Sequence, residues 1–142
     1  MPTEEKKQIV ETWFMEAFTK GDLSVIDRIA SKDMITYSQG HDEGFKGREN
    51  FKNWLAWYCE SFVDRNWIVH DIIEEGDKVV TRYTGHSIYK GGLLDIPSTD
   101  QNVKETGIII FRVNDGKVVE QWCEMSDLQV VQQLGAKIEV NF

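Results

Sequence analysis

The sequence predicts an α+β domain with helices first and an antiparallel sheet afterwards, and three observations predict it. Apolar residues recur at helical spacing as far as Phe62, then switch to an extended period rich in β-branched and aromatic residues from Trp67 onward. Glu75-Gly76-Asp77 and Asn114-Asp115-Gly116 supply turn chemistry between neighbouring β-prone runs, which joins those runs as antiparallel hairpins. The chain has 142 residues, 41% hydrophobic and 28% charged, with 2 prolines, which suits one folded core and leaves no room for a second full domain. Residues 1–142 are therefore expected to form a single domain.

The elements follow in order. Ile9, Val10, Trp13, Phe14, Ala17 and Phe18 make the buried stripe of a first helix, with Thr3 as its N-cap and Gly21 as its stop. Asp22 caps a short second helix whose Leu23, Ile26 and Ile29 fall one turn apart, and Met34 to Ser38 forms a small strand. After Gly47, the residues Phe51, Trp54, Leu55, Tyr58, Cys59 and Phe62 form the wide apolar stripe of a third helix. Strands are predicted over Trp67 to Ile73, Val79 to Tyr89, Val103 to Val113 and Lys117 to Met125, with a longer loop from Lys90 to Asn102. A short helix from Asp127 to Leu134 ends the pattern. Three N-terminal helices thus pack on one face of a curved antiparallel sheet.

The strand from Gly107 to Val113 is apolar on both parities, with Ile109, Phe111 and Val113 on one face and Ile108 and Ile110 on the other. Helices cover only one face of such a sheet. The outer face is therefore expected to bury Ile108 and Ile110 against a second copy, as an isologous homodimer.

Charge and composition exclude several function classes. Sixteen Lys and Arg against 24 Asp and Glu leave a net charge of −8 without a basic stripe, which disfavours nucleic acid and anionic lipid as partners. The charged N-terminal residues Glu4, Glu5, Lys6, Lys7 and Glu11 fit neither a signal peptide nor a membrane anchor, so a cytoplasmic protein is expected. Cys59 and Cys123 sit within apolar patterns and read as free, buried thiols. His41, His70 and His86 have no metal-ligand spacing, so no metal is expected.

Four motifs occur in sequence: Glu74-Glu75-Gly76-Asp77-Lys78-Val79-Val80, Leu94-Asp95-Ile96-Pro97-Ser98-Thr99, Phe111 through Gly116 to Trp122, and Gln132-Gln133-Leu134-Gly135. Their order and spacing resemble those of the SnoaL-like polyketide cyclases, from about the first helix to Gly135. The resemblance implies the nuclear transport factor 2-like fold, a cone whose sheet wraps a central pocket. It also implies cofactor-independent aldol chemistry, with a pocket aspartate moving a proton and polar neighbours holding the enolate. Counted from Gly116, the family's aspartate corresponds here to Cys123, and its glutamine and histidine partners to Gly107 and Ile109. The family's proton shuttle is absent at those matched positions, and no ionised carboxylate is expected in the pocket.

A three-residue loop at Asn114-Asp115-Gly116 would pair odd positions with odd ones, placing Gly107, Ile109, Phe111, Val119, Gln121, Cys123 and Met125 on the face that the family parity makes the pocket wall. Gln121 is then its clear hydrogen-bonding group, with Ile109, Phe111 and Met125 as apolar wall. Trp13, Tyr37, Trp54 and Tyr58 are candidate aromatic contacts, and the resemblance adds Tyr89, near which counting back from Pro97 places a histidine position of the family. Cys123, Asp127 and His86 are the candidate catalytic groups. A thiol in apolar surroundings favours packing for Cys123, and Asp127 reads first as a helix cap that a bulge near Ser126 would swing inward. Three readings stay open: a cyclase- or isomerase-type acid/base enzyme acting on a small hydrophobic or polyketide-like compound, a non-catalytic binder of such a compound, and a dimeric interaction module. The first two part on whether an ionisable group enters the pocket.

Overall fold

A computed structural model describes residues 3–38 and 41–141; the side chains of Thr3, Glu4, His41 and Asp42, including the expected cap and one histidine, lie outside the described residues. The first helix, α1 (Thr3–Thr12), continues as a π-helical segment over Trp13–Thr19, followed by α2 (Ser24–Ile29), β1 (Ala30–Ser38), β2 (His41–Lys46) and α3 (Arg48–Ser61). Four long strands come next, β3 (Phe62–Glu75), β4 (Lys78–Tyr89), β5 (Asn102–Asn114) and β6 (Lys117–Met125), and α4 (Asp127–Gln133) completes the order. The six strands form one sheet in the order β2-β1-β6-β5-β4-β3.

The π-helical winding buries Trp13, Phe14, Ala17 and Phe18 together. Gly21 ends the helix at φ +74°, a conformation that favours glycine. Asp22 accepts the Ser24 N–H at 3.1 Å in the turn just ahead of α2, while the N-cap position itself is taken by Leu23, which has no side-chain group to cap with. Arg65 ties helices to sheet: its guanidinium donates to the carbonyls of Phe18 at 2.6 Å, Cys59 at 3.0 Å and Phe62 at 2.8 Å. These carbonyls lie near two helix C-termini, where a cation also complements the helix dipole.

The sheet departs from expectation in three places. β1 runs parallel to β6, with Thr36 opposite Gln121, and pairs antiparallel with β2, which the pattern did not announce because His41–Lys46 holds Phe45 as its only large apolar residue. β3 begins at Phe62, because the chain turns straight from the helix into the sheet through an irregularity that includes Asp64 at φ +51°. The third departure is at the β5–β6 turn. Asp115 and Gly116 both have positive φ, and Asn114 pairs with Lys117, so the loop has two residues and not three. A bulge then restores the odd-with-odd register: Val113 faces Val118 while Arg112 faces Glu120, leaving Val119 as the extra residue. Val118 consequently takes the buried position expected for Val119.

The core fills the narrow end of the cone. Trp13 meets Phe111 edge-on at 5.6 Å and Phe51 at 5.1 Å, while Phe14 lies against Tyr83 and Phe111. The outer sheet face carries no helix, and Ile108 remains 47% exposed there. Among the described residues, no helix is long and apolar enough to cross a membrane.

Candidate functional site

The wide end of the cone is not filled. Between α3, the inner sheet face, α4 and the Leu93–Leu94 loop lies a cavity of about 390 Å³, within the range of small-molecule sites. Trp54 and Tyr58, one helical turn apart on α3, and Phe62, the first residue of β3, stack in sequence, Trp54 on Tyr58 at 5.3 Å and Tyr58 on Phe62 at 4.9 Å. With Phe18, Phe51 and Trp67 they give the cavity an aromatic wall. The opposite wall is the inward parity of β5 and β6: Ile109, Gln121, Cys123 and Met125. Gln121 is fully buried and donates to the Thr36 hydroxyl at 2.9 Å, a contact that the parallel pairing of β1 with β6 creates.

Glu105 dominates the polar end. It occupies an inward position of β5 and is only 8% exposed, yet it lines the cavity. Tyr58 from α3 donates to its Oε2 at 3.2 Å, and Tyr83 from β4 approaches Oε1 with its hydroxyl at 3.5 Å. Burial and the charge of nearby Asp127 push the Glu105 carboxyl up to about 7, and the two hydroxyls offset only part of that rise. Glu105 therefore exchanges its proton at neutral pH, as a general acid or base requires. Both tyrosines are themselves pushed up, chiefly by burial and then by the Glu105 charge, so they remain protonated donors.

Gly107 makes this arrangement possible. It stands two residues from Glu105 on the same face, opposite Tyr83. A Cβ there would lie 2.5 Å from the Tyr83 hydroxyl and 2.9 Å from the Glu124 carbonyl. The absent side chain is the space in which the Tyr83 phenol reaches toward Glu105.

Asp127 also lines the cavity, exposed at its rim at the start of α4, and desolvation raises its pKa. Cys123 points inward and is buried, with its thiol pushed up to about 12 by burial and the neighbouring carboxylates. Such a thiol stays protonated and is a poor nucleophile. Among the described residues, no three His, Cys, Asp or Glu side chains converge on a metal position.

Of the residues singled out in the sequence, Gln121, Ile109, Met125, Trp54, Tyr58, Cys123 and Asp127 come together on this cavity. Four others do not. Trp13 and Phe111 are packed in the narrow end of the cone, and Tyr89 is buried against Phe62 at 5.3 Å, its hydroxyl donating to the Ile96 carbonyl at 2.7 Å and accepting the Leu93 N–H at 2.9 Å to hold the loop. Tyr37 stands on the outer face, stacked on Trp122 at 5.5 Å, because its parity is opposite to that of Thr36. His86 is also outside: it has even parity on β4 and is exposed, whereas Gly85 and Ser87 point inward.

The expectation that no ionised carboxylate enters the pocket has to be revised, since Glu105 and Asp127 both line the cavity and Glu105, raised to about 7, is partly ionised at neutral pH. Glu105 was legible in the alternation that assigned Ile109 to the pocket, since Val103, Glu105, Gly107 and Ile109 share one parity. Matching residues only to the family's positions passes over it. Tyr83 was accessible by the same step on β4, where Val79, Thr81 and Tyr83 alternate inward.

The fold has close structural counterparts. TsrD from Streptomyces laurentii superposes with a TM-score of 0.85 at 26% identity, covering 96% of this chain and 99% of that one. IdmH from Streptomyces antibioticus, named as a candidate polyketide cyclase, gives 0.79 at 25% identity over 92% and 99% of the two chains. AclR from Streptomyces galilaeus, named as a candidate hydroxylase, gives 0.85 at 26% identity over 99% and 91%. No curated protein matches the chain in sequence. The sequence profile of the SnoaL-like polyketide cyclases matches residues 8–134, nearly the whole of the described cone. With its nuclear transport factor 2-like fold, the chain belongs to the SnoaL-like polyketide cyclase family.

Proposed function

We propose that this protein is a cofactor-independent acid/base enzyme that isomerises or cyclises a small hydrophobic carbonyl compound, with Glu105 as the group that carries the proton. The observation that carries this reading is a buried carboxyl facing a cavity of about 390 Å³, with two tyrosine hydroxyls beside it and a pKa near neutrality. A cavity that only binds an apolar molecule gains nothing from a carboxyl whose burial costs stability. An acid/base enzyme needs one.

In this reading the Glu105 carboxylate removes a proton from the carbon next to the substrate carbonyl. The bonding pair moves into an enolate, and Glu105 returns the proton to carbon or oxygen when the double bond shifts or a new C–C bond closes. Electrons and protons balance within the substrate and Glu105. Tyr58 and Tyr83 hold the carboxyl in place, and Gln121, Ile109, Met125 and Trp54 contact the substrate. Cys123 packs in the wall where the family carries its aspartate, so the proton-carrying carboxyl comes from β5 and not from β6. Polyketide cyclisation is the activity that the family name and the IdmH likeness support, and the aromatic wall suits a ring-bearing substrate.

The test is hydrogen–deuterium exchange at the α-carbon of 2-tetralone in D₂O, followed by NMR. Exchange above the buffer rate is expected, with an apparent pKa near 7, falling by about 10²–10⁴-fold in Glu105→Gln. An enzyme-dependent rate that Glu105→Gln leaves unchanged contradicts the assignment. We also propose that two copies meet through the uncovered outer sheet face, a reading supported by Ile108 and Ile110 standing beyond the reach of the helices.

A further inference from the structure

The charged groups that line the cavity are of one sign. Glu105 and Asp127 supply two carboxyls, and no lysine, arginine or histidine is among the described lining residues. The side chains whose charge or hydroxyl acts on Glu105 are Tyr58 from α3, Tyr83 from β4 and Asp127 from α4, with Cys123 from β6 beside them, and none of these is a cation. Arg65 is the nearby base; it does not line the cavity, and its Nε and Nη1 donate to the carbonyls of Phe18, Cys59 and Phe62. Glu105 is thus enclosed in a low-dielectric space with Asp127 at its exposed rim, and the described lining residues provide no side-chain counter-ion.

From this one-signed lining we infer that the cavity takes a ligand with a cationic nitrogen, a protonated or quaternary amine on an aromatic or apolar frame, whose charge faces Glu105 and Asp127. An anionic ligand would meet the like charge of buried Glu105, where water screens weakly, and that of Asp127 at the rim. A neutral one would leave the carboxyls uncompensated, whereas a cation converts their desolvation into attraction. The aromatic rings of Trp54, Trp57 and Trp67 on the same cavity add favourable partners for a cation. This inference rests on the acid/base reading in one respect, that Glu105 faces the ligand, and it deepens that reading. A bound cation draws the Glu105 carboxyl below its free value of about 7, so that it meets the substrate as carboxylate, the form that removes a proton.

Three probes of nearly equal size decide it: benzyltrimethylammonium, its neutral carbon isostere neopentylbenzene, and the anion phenylmethanesulfonate. Each is titrated into the full chain at about pH 6 and pH 8, with tryptophan fluorescence and calorimetry as readouts. The cation is expected to bind at least about tenfold more tightly than the neutral isostere at pH 8, and the sulfonate most weakly. The advantage shrinks several-fold at pH 6, where Glu105 is protonated, and drops in both Glu105→Gln and Asp127→Asn. Asp127 is exposed, so its variant keeps the test open even if Glu105→Gln folds poorly. Neopentylbenzene binding as tightly as the cation at pH 8, or a cation advantage unchanged in both variants, overturns the inference. Because 2-tetralone is neutral, its exchange reports the acid/base reading separately: exchange that depends on Glu105 without cation preference removes only the present inference. Failure of all three probes to bind removes it too.

Discussion

Replacing Glu105 by glutamine gives a stability change whose pH dependence follows from the structure. The carboxyl moves from 4.5 to about 7 because burial and Asp127 disfavour its charged form. Between those values the folded chain holds a proton that the unfolded chain has released. The contribution is therefore fully present below about pH 4.5 and is lost as pH rises through about 7, at about 1.4 kcal/mol per pH unit, or about 3 kcal/mol in all. Glutamine keeps the size and an acceptor for Tyr58 but cannot ionise. Urea unfolding at about pH 5 and pH 8 is expected to show the parent chain losing about 2.5 kcal/mol relative to Glu105→Gln, equivalent to a relative Tm change of about 8 °C. Asp127 and other groups titrate in both proteins, so the difference between the two profiles isolates Glu105. Profiles that run parallel across this window would refute the claim that the cavity holds this carboxyl at high pKa.

Other changes test neighbouring parts of the site. Gly107→Ala is expected to cost about 1–3 kcal/mol in urea unfolding, since its Cβ would meet the Tyr83 hydroxyl at 2.5 Å, and part of the loss returns when Tyr83→Phe removes that oxygen. An unchanged stability would show that Tyr83 does not occupy the space beside Gly107. Cys123, with its pKa pushed up to about 12, is expected to resist iodoacetamide in the folded chain at about pH 8 while reacting after unfolding, as mass spectrometry reads; rapid labelling of the native protein would contradict its burial and protonation. Ile108→Glu, on the uncovered sheet face, is expected to shift light-scattering mass from dimer to monomer without loss of helix content. A parent chain that is already monomeric at high concentration would remove the proposed interface.

Much of the architecture was legible because hydrophobic period and turn chemistry act locally. The stripe from Phe51 to Tyr58 requires a helix packed on a large surface, and Glu75-Gly76-Asp77 requires a hairpin. The inward parity of Ile109, Gln121, Cys123 and Met125 was also readable, although for a reason that the structure corrects. The loop is shorter than the Asn-Asp-Gly sequence suggested, and the Val119 bulge compensates, a long-range packing outcome that no local signal encodes. β2 escaped because an edge strand with one face lightly buried has little hydrophobic pattern to show. Among site residues, His86 and Tyr37 were misplaced where family or aromatic character was weighed above parity. Glu105 was missed in the opposite way: it lies within the predicted strand from Val103 to Val113 and alternation alone puts it inside, but matching residues only to the family's positions passes over it. Tyr58 was recognised as an aromatic contact, whereas its hydroxyl partner required the fold to bring α3 against β5 across 47 residues.

The central claim is that the cavity contains a carboxyl poised to exchange its proton at neutral pH. The direct measurement is ¹³C NMR titration of the glutamate side-chain carboxyls, with the Glu105 resonance assigned by its loss in Glu105→Gln. The account predicts an inflection for that resonance near pH 7. An inflection near the ordinary glutamate value of about 4.3 would contradict it.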